Sequence, residues 1–318
     1  MVMDPIELSR KIRGALAPCS LGGWPTPADV RPDLAAATGC AELWLKREDR
    51  SSTRGGGNKV RGLEFLLIGL PAGTVCVTIG GLGSTHCVAT ATHARDLGLR
   101  TVLAQFPQPE TATTRALAVA SVARADVVVR SRSRAGFPFA LWTAWRAAAR
   151  LGRRRWIPGG GAAPAAVVGH LLAGLELADQ LPAPPDAIVL PLGTGGTAAG
   201  LALAMGALGW RTVVVGVRVT TALVANRWRI ARLAGGAARL LAHRGIPIPH
   251  PSSRIPWILD GVGPGYGHPT PAGEAARELA ARHGVTLDET YGAKAFAALG
   301  ALPAAFRRVV FWHTFAAP

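Results

Sequence analysis

Lysine, acidic side chains and paired cysteines are what this 318-residue chain has little of. Its four cysteines, Cys19, Cys40, Cys76 and Cys87, are scattered, with no C-x-x-C pair and no metal-ligand spacing. That excludes a disulfide scaffold and leaves reduced thiols in a cytoplasmic protein as the reading, with no metal expected. Acids number 19 against 35 basic residues, a net charge of +16. Yet only Lys11, Lys46, Lys59 and Lys294 are lysines; the rest are arginines in an alanine-rich background. The one dense basic run is Arg153-Arg154-Arg155, with Arg130, Arg132 and Arg134 upstream. No nucleic-acid-binding motif accompanies it, so no nucleic-acid partner is expected. The start, Met1 to Glu7, carries acids and no apolar core, unlike a secretory signal. Charged residues are only 17% and hydrophobic ones 49%, which rules out disorder over most of the chain. There is no heptad run.

One uncharged run, Ala187 to Trp210, is long enough to cross a bilayer. A glycine-rich turn at Gly193-Thr194-Gly195-Gly196-Thr197 interrupts it, and such a turn in hydrocarbon would strand backbone groups. Strand, loop and buried helix fit better, so no membrane is expected. The same alternation recurs. Strands are predicted at Thr74–Ile79, Arg100–Gln105, Asp126–Arg130, Ala187–Leu190 and Thr212–Val217. Helices are predicted at Ser84–Leu97 (closed by Gly98), Thr111–Ala123, Phe139–Leu151 and Ala198–Leu208. Continuous β-branched strands between helices predict an α/β fold with parallel sheets buried on both faces. Pro158 to Pro164 is the best linker candidate. Gly245 to Trp257, rich in proline, carries no helix or strand pattern and reads as a long loop.

Three places carry chemistry. Lys59 follows Gly55-Gly56-Gly57-Asn58 at the start of a helix, near a positive dipole end. A cationic neighbourhood lowers a lysine's pKa towards the neutral amine that Schiff-base chemistry needs; taken alone, most such lysines are solvated surface charges. Gly80-Gly81-Leu82-Gly83-Ser84-Thr85-His86 sets exposed amides and hydroxyls at a strand-to-helix turn, suited to a carboxylate or phosphate. Helix capping by Ser84 or Thr85 is the competing reading. Gly193 to Thr197 lacks the lysine of a P-loop and the spacing of a dinucleotide fingerprint, but offers N–H groups and hydroxyls to a single phosphate. An imine-forming lysine, a carboxylate turn and a mono-phosphate cup together suggest pyridoxal 5′-phosphate. His86 and His93 taken singly read as helix-surface histidines, Lys294 as structural, and Trp142, Trp145 and Trp156 as core or interface.

The sequence resembles the fold type II pyridoxal-phosphate enzymes, specifically the group of D-cysteine desulfhydrase and 1-aminocyclopropane-1-carboxylate deaminase. The likeness covers most of the chain. Trp24-Pro25-Thr26-Pro27 is similar to P-T-P-L, Leu43 to Asp49 to L-W-I-K-R-D-D, and Gly56 to Arg61 to the specific G-G-N-K-x-R. Gly80 to His86 resembles G-G-I-Q-S-N-H, and Gly193 to Thr197 the phosphate loop G-[ST]-G-G-T. Gly263 to Gly267 resembles G-x-G-Y-G, Leu287 to Ala295 resembles L-D-P-V-Y-[TE]-G-K-A, and His313-Thr314 resembles H-T-G-G. The resemblance implies a tryptophan-synthase-β-like fold: two open, twisted, mostly parallel sheets with flanking helices. It implies a larger cofactor-binding domain from residues 1–54 plus 162–318, a smaller α/β domain of residues 55–161, and an active site in the cleft between them. Lys59, Ser84, Tyr266 and Tyr291 are then the catalytic candidates. Lys59, Asn58, Thr85, Gly193, Thr194, Gly195, Gly196, Thr197 and Thr314 bind the cofactor. Ser84, Thr85 and His86 bind a small amino-acid substrate. A homodimer is implied.

Several positions depart from the family. Thr85 stands for asparagine, Gly83 for glutamine, Gly62 for a lysine that helps hold the phosphate, and Gly292 for threonine or glutamate. Gly161-Ala162 stands for S-N, and the chain ends Ala316-Ala317-Pro318 without a glycine pair. Without an acid at position 292, ring-opening deamination is disfavoured against β-elimination, in which the leaving group departs directly. The expected activity is therefore that of a lyase or β-replacing synthase. The alternatives are a degenerate homologue with little or no cofactor binding that acts as a partner protein, and the cyclopropane deaminase itself.

Overall fold

The computed structural model describes residues 3–249 and 256–316. In chain order the elements are α1 (Pro5–Leu16), β1 (Ala28–Val30), α2 (Pro32–Thr38), β2 (Glu42–Lys46), α3 (Lys59–Leu66), β3 (Val75–Gly81), α4 (Thr85–Asp96), β4 (Arg100–Phe106), α5 (Ala112–Arg124), β5 (Val127–Arg130), α6 (Phe137–Leu151), β6 (Arg154–Trp156), α7 (Pro164–Gln180), β7 (Ala187–Leu192), α8 (Gly196–Ala207), β8 (Val213–Arg218), α9 (Arg227–Ala242), β9 (Trp257–Asp260), α10 (Pro271–Arg282), α11 (Gly292–Ala297) and β10 (Arg308–Trp312). The expected strand and helix alternation from Thr74 to Val217 is present to within a few residues at each end. The uncharged run is β7, a glycine turn and α8. Among the described residues, no helix is long and apolar enough to cross a membrane.

Two sheets form. A six-stranded sheet runs β1-β2-β10-β7-β8-β9, parallel except where β1 meets β2. A four-stranded sheet runs β5-β4-β3-β6 and is parallel throughout. Every residue of β7 is buried, as a central strand covered on both faces requires. One face packs Ile188, Leu190 and Val310 against α1, α7, α8 and α9. The other packs Val189, Val215 and Phe311 against α2, α10 and α11. α3 lies between the sheets, with Leu63 and Leu66 among residues of β3 and α4 on one side and Ala166 of α7 on the other.

Hydroxyl and carboxylate caps start several helices. Asp4 accepts from the Glu7 N–H, Thr111 and Thr114 form a reciprocal box, and Thr270 accepts from the Gly273 N–H. A buried ionic cluster fastens α3 to the large sheet. Arg61 is 1% exposed; it pairs with Glu48 at 2.7 Å and Glu176 at 2.8 Å, and its guanidinium lies 3.7 Å over the Trp24 ring. Lys46 also reaches Glu176 and the Thr26 carbonyl. Burial alone would raise the Glu176 carboxyl, but Arg61 and Lys46 outweigh it and hold it at about 2.

Some expectations need correction. Pro158 to Pro164 is more than a linker: Gly159–Gly161 form a turn packed on the loop from Gly193 to Thr197, where a Cβ on Gly160 would meet Thr194 Oγ1 at 2.6 Å. His86 and His93 are not surface histidines; they are 3% and 1% exposed. Of the tryptophans expected in core or interface, Trp142 and Trp156 are 50% and 39% exposed on α6 and β6, which leaves the interface reading for these two. The loop predicted from Gly245 to Trp257 ends in β9; its residues 250–255 lie outside the described residues, as do Ala317 and Pro318.

Candidate active site

The C-terminal ends of β3, β4 and β7 converge on one cavity of about 480 Å³, where an open parallel sheet places its ligands. Lys59 opens into it from the first turn of α3. Burial lowers its amine to about 8, with Asp288 acting the other way. A sizeable fraction is then neutral near physiological pH, as imine formation needs. The preceding Asn58 ties this turn to two other expected site segments. Its backbone N–H donates to the Thr314 carbonyl at 2.9 Å, and its side-chain amide donates to Thr197 Oγ1 at 2.9 Å.

The loop from Gly193 to Thr197 turns into α8 through Gly195 at φ 91°, a left-handed conformation that favours glycine. With glycine as N-cap, no side chain among the described residues satisfies the first-turn N–H groups of α8. Open space stands where Gly196 would carry a Cβ. The result is a cup of free N–H donors with the Thr194 and Thr197 hydroxyls lining the cavity beside it.

Opposite lies the turn between β3 and α4. Ser84 is the N-cap of α4, and its Oγ accepts the Cys87 N–H at 3.3 Å. The capping reading is thus correct, but the hydroxyl proton stays available to a ligand, and Ser84, Thr85 and His86 all line the cavity. Burial, then Lys59, depress His86 to about 3, so its ring is neutral; Nε2 meets Thr78 Oγ1 at 3.0 Å.

The tyrosines complete the wall. Tyr266 and Tyr291 share a hydrogen bond of 2.6 Å between their hydroxyls. Burial pushes Tyr266 up to about 12 and Tyr291 well above the ordinary phenol value, so both carry their protons. Each is held from behind. Asp288 Oδ2 accepts the Tyr291 N–H at 2.8 Å, and Lys294 Nζ donates to the Val262 carbonyl at 2.8 Å in the loop leading to Tyr266. Lys294 is structural, as expected.

The cavity therefore brings together every expected site residue, from Asn58 and Lys59 through Ser84 to His86, Gly193 to Thr197, both tyrosines and Thr314. It adds Phe106, Arg134, Phe137, His170 and Arg229. Phe106 packs edge-on to Phe137 at 5.4 Å and tilted to Tyr266 at 6.1 Å. Its place at the end of β4 is a signal that could have found it. No local pattern marks His170 or Arg229. The departures from the family pattern have steric counterparts. A Cβ on Gly83 would lie 2.6 Å from Thr114, on Gly62 3.0 Å from the Ala166 Cβ, and on Gly292 3.1 Å from Asp288 Oδ1.

These residues fit pyridoxal phosphate: a depressed amine for the aldehyde, a glycine-opened cup for the phosphate, and walls for the ring and an amino acid. An intact amine and cup give the partner-protein reading no support.

Comparison with known proteins agrees. The sequence model described as "Pyridoxal-phosphate dependent enzyme" matches residues 19–314. A protein named Nocardicin C-9′ epimerase from Nocardia uniformis subsp. tsuyamanensis is 37% identical over 299 residues, covering 85% of both chains. D-cysteine desulfhydrase of Salmonella schwarzengrund is 32% identical over 293 residues, covering 87% of this chain and 85% of that one. A crystal structure of an ACC deaminase homologue superposes with a TM-score of 0.81 at 27% identity, covering 96% of this chain and 94% of that one.

Proposed function

This chain belongs to the pyridoxal-phosphate-dependent enzyme family, and we propose that within it the chain is a lyase acting on a small amino acid by α-proton removal and β-elimination, like D-cysteine desulfhydrase. The observation that carries this is the proton-bearing Tyr266–Tyr291 pair, 2.6 Å apart, in the same cavity as Lys59 and Ser84. When bound, pyridoxal phosphate supplies an electron sink that eases loss of the α-proton of an attached amino acid. Lys59 would hold the cofactor through its Nζ, and its neutral amine, lining the same cavity, would take the α-proton of the substrate. Ser84 and the first N–H groups of α4 bind the α-carboxylate. The tyrosine pair hands a proton to the group leaving Cβ. With a thiol, chloride or ester as the group leaving Cβ, the products with water would be that group, pyruvate and ammonia, and with another nucleophile that group and a β-substituted amino acid. The two sheets, and a cavity lined by residues from both, support two domains, residues 1–54 plus 162–318 and residues 55–161, with the active site in the cleft between them.

The test is direct. Protein reconstituted with pyridoxal phosphate should show a visible absorption band that borohydride bleaches, and should release pyruvate and sulfide from one enantiomer of cysteine. Lys59→Ala should lose both. An unchanged spectrum in that variant would remove Lys59 from its role.

A second reading, epimerisation at Cα, is favoured by the 37% identical epimerase. Lys59 on α3 and Ser84 at the start of α4 both line the cavity, so one could remove the proton and the other return it. In heavy water this reading gives an inverted amino acid carrying one deuteron at Cα, with no pyruvate. The free cysteines support a cytoplasmic setting. The exposed rings of Phe139, Trp142 and Trp156 support a homodimer. Light scattering should then give about twice the 33.0 kDa chain mass.

A further inference from the structure

α3, α7 and α8 approach one another unusually closely, and the cause is three glycines. A Cβ on Gly169 of α7 would collide with the Arg61 carbonyl of α3. Ala166, one turn earlier, already meets Gly62 of α3. A Cβ on Gly200 of α8 would collide with the His170 Cβ and lie 2.7 Å from the His170 carbonyl carbon. His170 therefore stands where the three helices meet. Gly200 is one turn along α8 from Gly196, about 6 Å at the helical rise. The His170 side chain is 5% exposed, and what surface it has belongs to the cavity that Lys59, Thr197 and Ala198 also line.

His170 Nδ1 is buried and has no hydrogen-bond partner among the described residues. An unpartnered buried donor is costlier than an unpartnered lone pair on a weak acceptor, so the ring proton belongs on Nε2. Nε2 is then the nitrogen left to face the cavity. Burial, then Lys59 and Arg61, keep this imidazole neutral. It is thus an N–H donor on a residue that lines the same cavity as the cup of N–H groups.

We propose that His170 is a ligand of the cofactor's phosphate, donating a hydrogen bond from Nε2 as a neutral imidazole. The inference rests on the cofactor reading above. It assigns to α7 a part in binding that neither Lys59 nor the glycine loop performs. It also gives a reason for Gly62: where α7 seats His170, a Cβ at position 62 would crowd Ala166 at 3.0 Å.

The test compares pyridoxal phosphate with pyridoxal, which has the same aldehyde and no phosphate. Dissociation constants are read from the visible band, without substrate, for the full-length wild type, His170→Phe and His170→Gln. His170→Phe should bind pyridoxal phosphate about tenfold to a hundredfold more weakly, the range for a hydrogen bond to a charged group. Its affinity for pyridoxal should stay within about twofold, which also shows that the variant is folded. His170→Gln, which can place an amide N–H near Nε2, should recover much of the loss. Equal weakening of both aldehydes, or no weakening of either, overturns the proposal. A wild type that forms a band with neither aldehyde overturns the cofactor reading and this inference together.

Discussion

The chemistry of single residues follows from which charges are left without water. Lys59 is a desolvated amine lowered to about 8. The sign is definite: the neutral form gains, so capture of pyridoxal phosphate should quicken with rising pH and level off above about 8, not above the 10.5 of a free lysine. Stopped-flow absorbance over that interval checks it, and a rate still rising tenfold per pH unit beyond 9 to about 10 would contradict it. For the tyrosine pair, Tyr291→Phe removes one proton carrier without removing ring volume. Turnover should fall about a hundredfold with KM little changed, measured by pyruvate release. At this scale much of the site was legible. Lys59, Ser84 and the glycine cup stand in contiguous motifs with a chemical reason for their spacing. His170 was not legible, because it reaches the cavity through the packing of helices far apart in the chain.

Between elements, the decisive contacts are between backbones. Gly200→Ala would force α8 off α7 at His170, an overpacking that should cost about 1–3 kcal/mol in urea denaturation. Because α8 carries the cup at its N-terminus, cofactor affinity should fall with it. Arg61→Met leaves Glu48 and Glu176 buried without their shared partner and should cost about 3–5 kcal/mol by the same measurement. A loss below about 1 kcal/mol would mean that water reaches the cluster. The strands β3, β4, β5, β7 and β8 could be read in advance because each is a short run rich in β-branched or apolar residues between helical stretches, whereas β6, Arg154–Trp156, lies in the basic run and shows no such pattern. α7 could not be read either. It begins at Pro164 after an alanine with no capping side chain, and Ala166 to Leu175 are buried on all sides, which erases the helical period.

Across the whole molecule the acid response is set by groups that folding keeps from titrating. His86 and His170 are depressed to about 3, and Asp33, Asp49 and Glu176 are also held low. Below about 6.5, the unfolded chain binds protons at the histidines that the folded chain refuses. The carboxylates add the same sign further down. Stability should therefore fall steadily as pH drops from about 7.5 to about 5. A urea midpoint flat across that range would disprove it. The two-sheet architecture was legible chiefly because resemblance and alternation agreed; the antiparallel β1 and the edge strand β9 were not, being short and without pattern. Finally, the chain has only two tyrosines, against nine tryptophans, and both lie in the cavity bound to each other. Isotope labelling at tyrosine would thus give a magnetic-resonance spectrum with no background from the rest of the fold. The protein carries a built-in reporter, and each ligand entering its cleft should shift two ring signals at once.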